Sequence, residues 1–175
     1  MNTPEDFTLA DEAFQTYVRN QSKFTLEHLS GESLTPELMV ITRTMEGKDE
    51  ITMCCLAVPF NEDDEKRIVL SGIGKRFYDE RQAALAVILA SEAWMASRAP
   101  GAPHIEPRHD PNRKEHIIVV GSGLREHQRL LIATPIRRDE KNEMRIDGEA
   151  KEMPVARFPL LEWFWRGYFS AVLPK

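Results

Sequence analysis

The chain of 175 residues has only two cysteines, Cys54 and Cys55, and they are adjacent. Two neighbouring cysteines build no disulfide framework, and a vicinal bridge is sterically awkward. Within the apolar run MCCLAV they read as small buried hydrophobes. A basic excess is also missing: 23 lysines and arginines against 28 aspartates and glutamates leave a net charge of −5. That balance argues against a general nucleic-acid binder, which displaces counterions with cationic side chains. No stretch approaches the ~20 consecutive apolar residues of a membrane span. The opening MNTPEDFTLADEAF is acidic and has no apolar core of the kind a signal peptide needs. A cytoplasmic location without membrane association is the expectation.

The familiar catalytic motifs are missing as well. There is no GxSxG elbow, and Ser122 in GSGL does not supply one. The glycines of SGIGKRF (71–77) lack the Ser or Thr of a phosphate loop, because Arg76 follows Lys75. Phe77 stands where a dinucleotide fingerprint needs its third glycine, and the segment reads as helix. Cys54 and Cys55 have no histidine nearby, and burial would raise their thiol pKa.

The remaining composition, 42% hydrophobic and 29% charged, is that of an ordinary folded domain. The length is that of one domain, residues 1–175, large enough to bury a core without staples. The expected class is α+β, a mostly antiparallel sheet with N-terminal helices, a central helix and an aromatic-rich C-terminal helix. Leu9, Ala13, Phe14, Tyr17 and Val18 recur at helical spacing, with Thr8 or Asp11 as cap and Gly31 as stop. A second short helix or turn is read around Phe24, Leu26 and Leu29. Residues 38–46 and 50–59 read as a hairpin turning at Gly47, Lys48 and Asp49. Asn61 can cap a helix of roughly 15 residues, weakened at Gly72 and Gly74. Residues 83–97 fit either a helix or a strand buried on both faces. Strand is chosen, because a hairpin, a helix and a second antiparallel set then follow in order. Residues 99–114 are a proline-rich loop. Strands follow at 115–121 and 126–137, with a turn at Gly121–Gly123. Residues 138–154 are charged and exposed, with a turn at Asp147–Gly148.

Three groups of residues could carry chemistry. His104, His109, Asp110 and His116, with Glu106, Glu115 and His127 near them, have the side chains that bind divalent ions. Their spacing matches no ligand motif, and the alternation of a strand separates Glu115 from His116. No cofactor is therefore expected. The second group joins SEAW (91–94) to DPNRKE (110–115). Glu92 is a charge inside an apolar run and needs a partner. Arg113 is the natural one, positioned by a turn beginning at Asp110 and Pro111. Glu92, Trp94, Asp110, Arg113 and Glu115 then form either a small pocket walled by Trp94 or an ion pair locking the loop to the sheet. The third group is the C-terminal helix. Leu160, Trp163, Phe164 and Gly167 lie on one stripe, and Leu161, Trp165 and Phe169 on another. Two apolar stripes exceed what one core face needs, so Trp163, Trp165 and Phe169 are candidates for a homodimer interface. Glu162 and Arg166 would pair at the exposed edge.

The order of an apolar strand ending in SEAW, a proline-bearing loop, D-P-x-R-x-E and another apolar strand, across residues 60–125, resembles a family of bacterial and phage proteins with no established activity. The resemblance implies a small α+β protein of a bacterial or mobile-element genome and assigns no role to any residue. The preferred function is that of a binding or accessory protein without catalytic activity. The alternative is a small metal-dependent hydrolase using the cluster at 104–127. A third reading is a nucleic-acid accessory factor using Arg125, Arg129, Arg137 and Arg138, the first three of which would share one strand face.

Overall fold

The computed structural model describes residues 8–44, 47–56, 63–80, 82–96, 101, 109–155 and 157–170. Among these, three helices surround one antiparallel sheet, which is the expected α+β class. The chain runs α1 (Asp11–Glu27), β1 (Glu37–Arg43), β2 (Asp49–Cys55), α2 (Asp63–Asp79), β3 (Ala83–Met95), β4 (Lys114–Gly123), β5 (Arg129–Arg138), β6 (Met144–Ile146), β7 (Lys151–Met153) and α3 (Pro159–Ser170). The strands lie in the order β2-β1-β3-β4-β5-β6, and β7 pairs with the same edge of β5 as β6 does.

The ambiguous alanine-rich segment is a strand. β3 lies between β1 and β4, and Ala84 to Ala90 are buried throughout. Alanine favours helix intrinsically. A central strand with layers on both faces overrides that preference, because each face buries its own alternate residues. Val87 and Leu89 point into a cluster under α2 and α3 with Leu70, Phe77, Leu161, Phe164 and Trp165. Ala86, Ile88 and Ala90 point to the other side, under Phe14 and Val18 of α1. The sheet is therefore the middle of three layers.

Several boundaries differ from expectation. α1 has Ala10 at its N-cap, with no side-chain cap, and runs on without a separate second helix to Glu27. Asp11 instead sits in the first turn, where an acid favours the positive end of the helix dipole. It accepts hydrogen bonds from Gln128 (2.9 Å) and His127 (2.8 Å). β4 continues through Gly121 and Ser122 to Gly123, and the turn falls at residues 124–128. Residues 138–154 include the two short strands β6 and β7, separated where Gly148 (φ 150°) passes over Pro135. Pro135 has no N–H for the ladder, so the edge strand breaks there. Cys55 is exposed rather than buried, and burial raises the pKa of Cys54. Asn61, the expected cap of α2, lies outside the described residues.

The SGIGKRF segment lies inside α2, so it forms no phosphate loop. Its Gly74 and the Gly167 of α3 let the two helices meet backbone to backbone. A Cβ on Gly74 would fall 2.1 Å from the Phe164 carbonyl oxygen, and one on Gly167 would fall 1.9 Å from that of Ser71. Glycine is required at both places by this approach. Gly72 has nothing within 4 Å of the corresponding position. We expect Gly167→Ala to push α3 off α2 and cost about 2–4 kcal/mol in denaturant unfolding. Gly72→Ala should add about 0.5–1 kcal/mol through helix propensity.

Candidate functional site

The last residues of β3 carry different chemistry on their two faces. Glu92 and Trp94 point to the α1 side, where Trp94 stands opposite Glu115 of β4. The partner of Glu92 is Arg138 of β5, not Arg113. Arg138 Nη2 lies 3.1 Å from Glu92 Oε2 and 2.6 Å from Glu115 Oε1, and its Nε donates to Glu115 Oε2 at 3.1 Å. Its Nη1 donates to the carbonyls of Glu32 and Asn142, and Leu34 N–H donates to Glu92 Oε1. Glu115 holds the Arg138 pKa above its ordinary value, mainly through these hydrogen bonds. One half-buried guanidinium thus joins two carboxylates and the loop leading into β1. The loop locked to the sheet is 28–36, whereas sequence pointed to 99–114. A sequence pattern offers no reason to prefer an arginine 46 positions from Glu92 over one in the adjacent motif.

The Asp-Pro turn forms as expected. Asp110 is buried, accepts from Asn112 N–H at 2.8 Å, and its carbonyl accepts from Arg113 N–H at 3.1 Å. The turn delivers Arg113 to Trp94, with the guanidinium 4.6 Å from the ring centroid. The contact is a cation–π stack on an exposed ring. Glu92, Trp94, Arg113 and Glu115 are therefore on one face, but Arg138 fills the space among the carboxylates.

The open cleft lies on the opposite face. Met95, Asn112, Lys114, His116, Ala133, Pro135, Lys151 and Met153 line a cavity of about 500 Å³ beyond the reach of α2 and α3. Met95 and His116 arrive by the same alternation that sends Trp94 and Glu115 away. Lys151 comes from β7, whose exposed and charged sequence carries no signal of a site. His116 Nδ1 lies 3.0 Å from the Lys114 carbonyl. A carbonyl only accepts, so Nδ1 carries the proton and Nε2 is left for other partners. Among the described residues, the lining includes no carboxylate. Among the described residues, neither Lys114 nor Lys151 forms an ion pair.

The described arginines contrast with these lysines. Arg125 sits in the turn before β5 and bonds Thr8 and Asp11; Arg137 faces Asp147. Arg129 donates through Nη1 to the carbonyls of Gly123, Arg125 and Gln128, and burial lowers its pKa. With Arg138 in its network, the four arginines read as a basic stripe are dispersed among separate partners.

In α3, the two apolar stripes have two internal targets. Trp165 is buried and donates from Nε1 to Ser122 Oγ at 2.9 Å, while Phe164 packs against Phe77 of α2. Trp163 lies between the guanidiniums of Arg67 and Arg166, and Phe169 is exposed. Glu162 pairs with Arg157 at 2.7 Å instead of with Arg166. A second, shallower groove of about 440 Å³ lies along Leu124, Trp165 and Phe169.

The histidines do not converge. His104 and Glu106 lie outside the described residues. His109 and Asp110 are in the turn before β4, His116 is in the cleft and His127 is with Asp11. Among the described residues, no group of three His, Cys, Asp or Glu side chains could hold a metal ion. No helix among them is long and apolar enough to cross a membrane.

No family model, curated protein or solved structure matches the chain.

The network on the α1 face makes a direct prediction. Arg138→Met removes the only described cation between Glu92 and Glu115, two partly buried carboxylates. It should lower stability by about 1–3 kcal/mol in denaturant unfolding. Arg113→Met, which removes only an exposed stack, should cost at most about 1 kcal/mol.

Proposed function

We propose that this protein is a binding protein whose ligand is a small anion with an apolar body, held in the cleft between Lys114 and Lys151. One observation carries the reading: among the described residues, two unpaired ammonium groups and an imidazole line a concave site with no carboxylate. The chain as a whole is acidic, so this local excess of positive charge runs against the average field. Lys114 and Lys151 are exposed at the rim, and an anion seated between them can accept charge-assisted hydrogen bonds from both. Met95, Met153 and Pro135 supply the apolar wall, and Asn112 offers an amide for orientation. The volume lies within the ~300–1,000 Å³ range of small-molecule sites. A carboxylate and a phosphate monoester share the required chemistry. The reading assigns the protein no catalytic step, in keeping with a binding or accessory role.

Calorimetry and thermal unfolding with phenyl phosphate and octanoate, against phenol and octanol as neutral controls, test this reading and separate the two head groups. At least one anion should bind and raise the melting temperature, while the neutral analogues do neither. Lys114→Ala with Lys151→Ala should weaken binding by about 10–100-fold. Absence of binding by both anions at millimolar concentration, or undiminished binding by the double variant, overturns the reading.

A further inference from the structure

The two edges of the sheet are built differently. At one, β5 is covered by β6 and β7, three residues each. Gly148 interrupts them, and they carry Arg145, Lys151 and Glu152. Short, broken, charged edge strands resist pairing with another chain. At the other edge, β2 pairs with β1 over seven residues in unbroken register, from Asp49 opposite Arg43 to Cys55 opposite Glu37. Among the described residues, nothing pairs with its outer side. β2 contains no proline, lysine or bulge. Ile51 and Met53 are about half exposed (51% and 43%), whereas their β1 neighbours Ile41 and Met39 are buried beneath α1. The apolar surface under α1 thus continues past the helix onto a strand whose outer backbone edge pairs with no described residue.

We infer that β2 is a self-association edge, at which a second copy of this chain adds its own β2 antiparallel and extends the sheet. The sequence of β2 selects a copy of itself as the occupant. A two-fold axis at Thr52 uses all seven residues and keeps opposed side chains on one face. It places Ile51 opposite Met53 of the second copy, so that Ile41, Ile51, Met53 and Met39 form one apolar row across the junction. Asp49 falls opposite Cys55 and Glu50 opposite Cys54, so no acid faces an acid. Asp49 is already paired with Arg43 at 2.9 Å. The same operation brings both α1 helices to one face, flanking the apolar row. The expected homodimer through the C-terminal helix would use Phe169 instead, and the two routes are separable.

Light scattering on the full chain up to about 100 μM should give a dimer. Ile51→Lys and Met53→Lys should each weaken association by about tenfold or more, with thermal unfolding and near-ultraviolet dichroism unchanged, since both side chains are exposed. Phe169→Asp should leave the dimer intact. A wild-type monomer throughout that range overturns the inference. So does a dimer abolished by Phe169→Asp but retained by Met53→Lys. If the lysine variants fail to fold, hydrogen exchange of the wild-type protein decides. Amides of β2 should become better protected as concentration rises, and concentration-independent exchange there overturns the inference.

Discussion

Everything in this fold rests on β3, a strand buried on both faces along most of its length. A chain segment of that kind cannot lie at a surface, so it requires paired strands on each side and helices above and below. α1 supplies one cover. The other is supplied jointly by α2 and α3, which come together at Gly74 and Gly167 where any side chain would hold them apart. The two apolar stripes of α3 follow from this arrangement, because the helix must pack against both the sheet and α2.

The same strand divides the chemistry. Where the helices stop, the two faces of β3 and β4 continue outward with opposite inventories. On the α1 side, alternation gathers Glu92 and Glu115, and Arg138 neutralises both while anchoring the loop into β1. Each charge there has a partner, which suits a structural role. On the other side it gathers Met95, Lys114 and His116, joined by Lys151 and Met153 from the edge. Among the described residues, that set has cations and apolar surface but no counter-charge. A period-two pattern thereby separates a closed network from an open cleft only a strand's thickness away.

Much of the architecture was legible in the sequence, because hydrophobic period and turn residues act locally. The N-terminal and central helices, the hairpin, the Asp110–Pro111 turn and the aromatic C-terminal helix all follow from such signals. Segment 83–97 was balanced between helix and strand. Only the order of its neighbours decided for strand, since alanine content pointed the other way. The site was less legible. Grouping Glu92 with Trp94 on one face needed only alternation, whereas bringing Glu115 to that face needed the register of β4 on β3. Choosing Arg138 over Arg113 required knowing that β5 lies beside β4, and including Lys151 required knowing that β7 pairs with β5. Long-range register has no local signature in one sequence, and an exposed lysine on a three-residue strand resembles any solvated lysine.

Amide chemical shifts followed during a titration with phenyl phosphate or octanoate give the most direct view of the cleft. The account predicts saturable shifts for Met95, Asn112, Lys114, His116, Lys151 and Met153, with the residues around Arg138 and along α1 left in place. Shifts centred on Trp94 and Arg113, or on the groove beside Phe169, or none at saturating ligand, would contradict it.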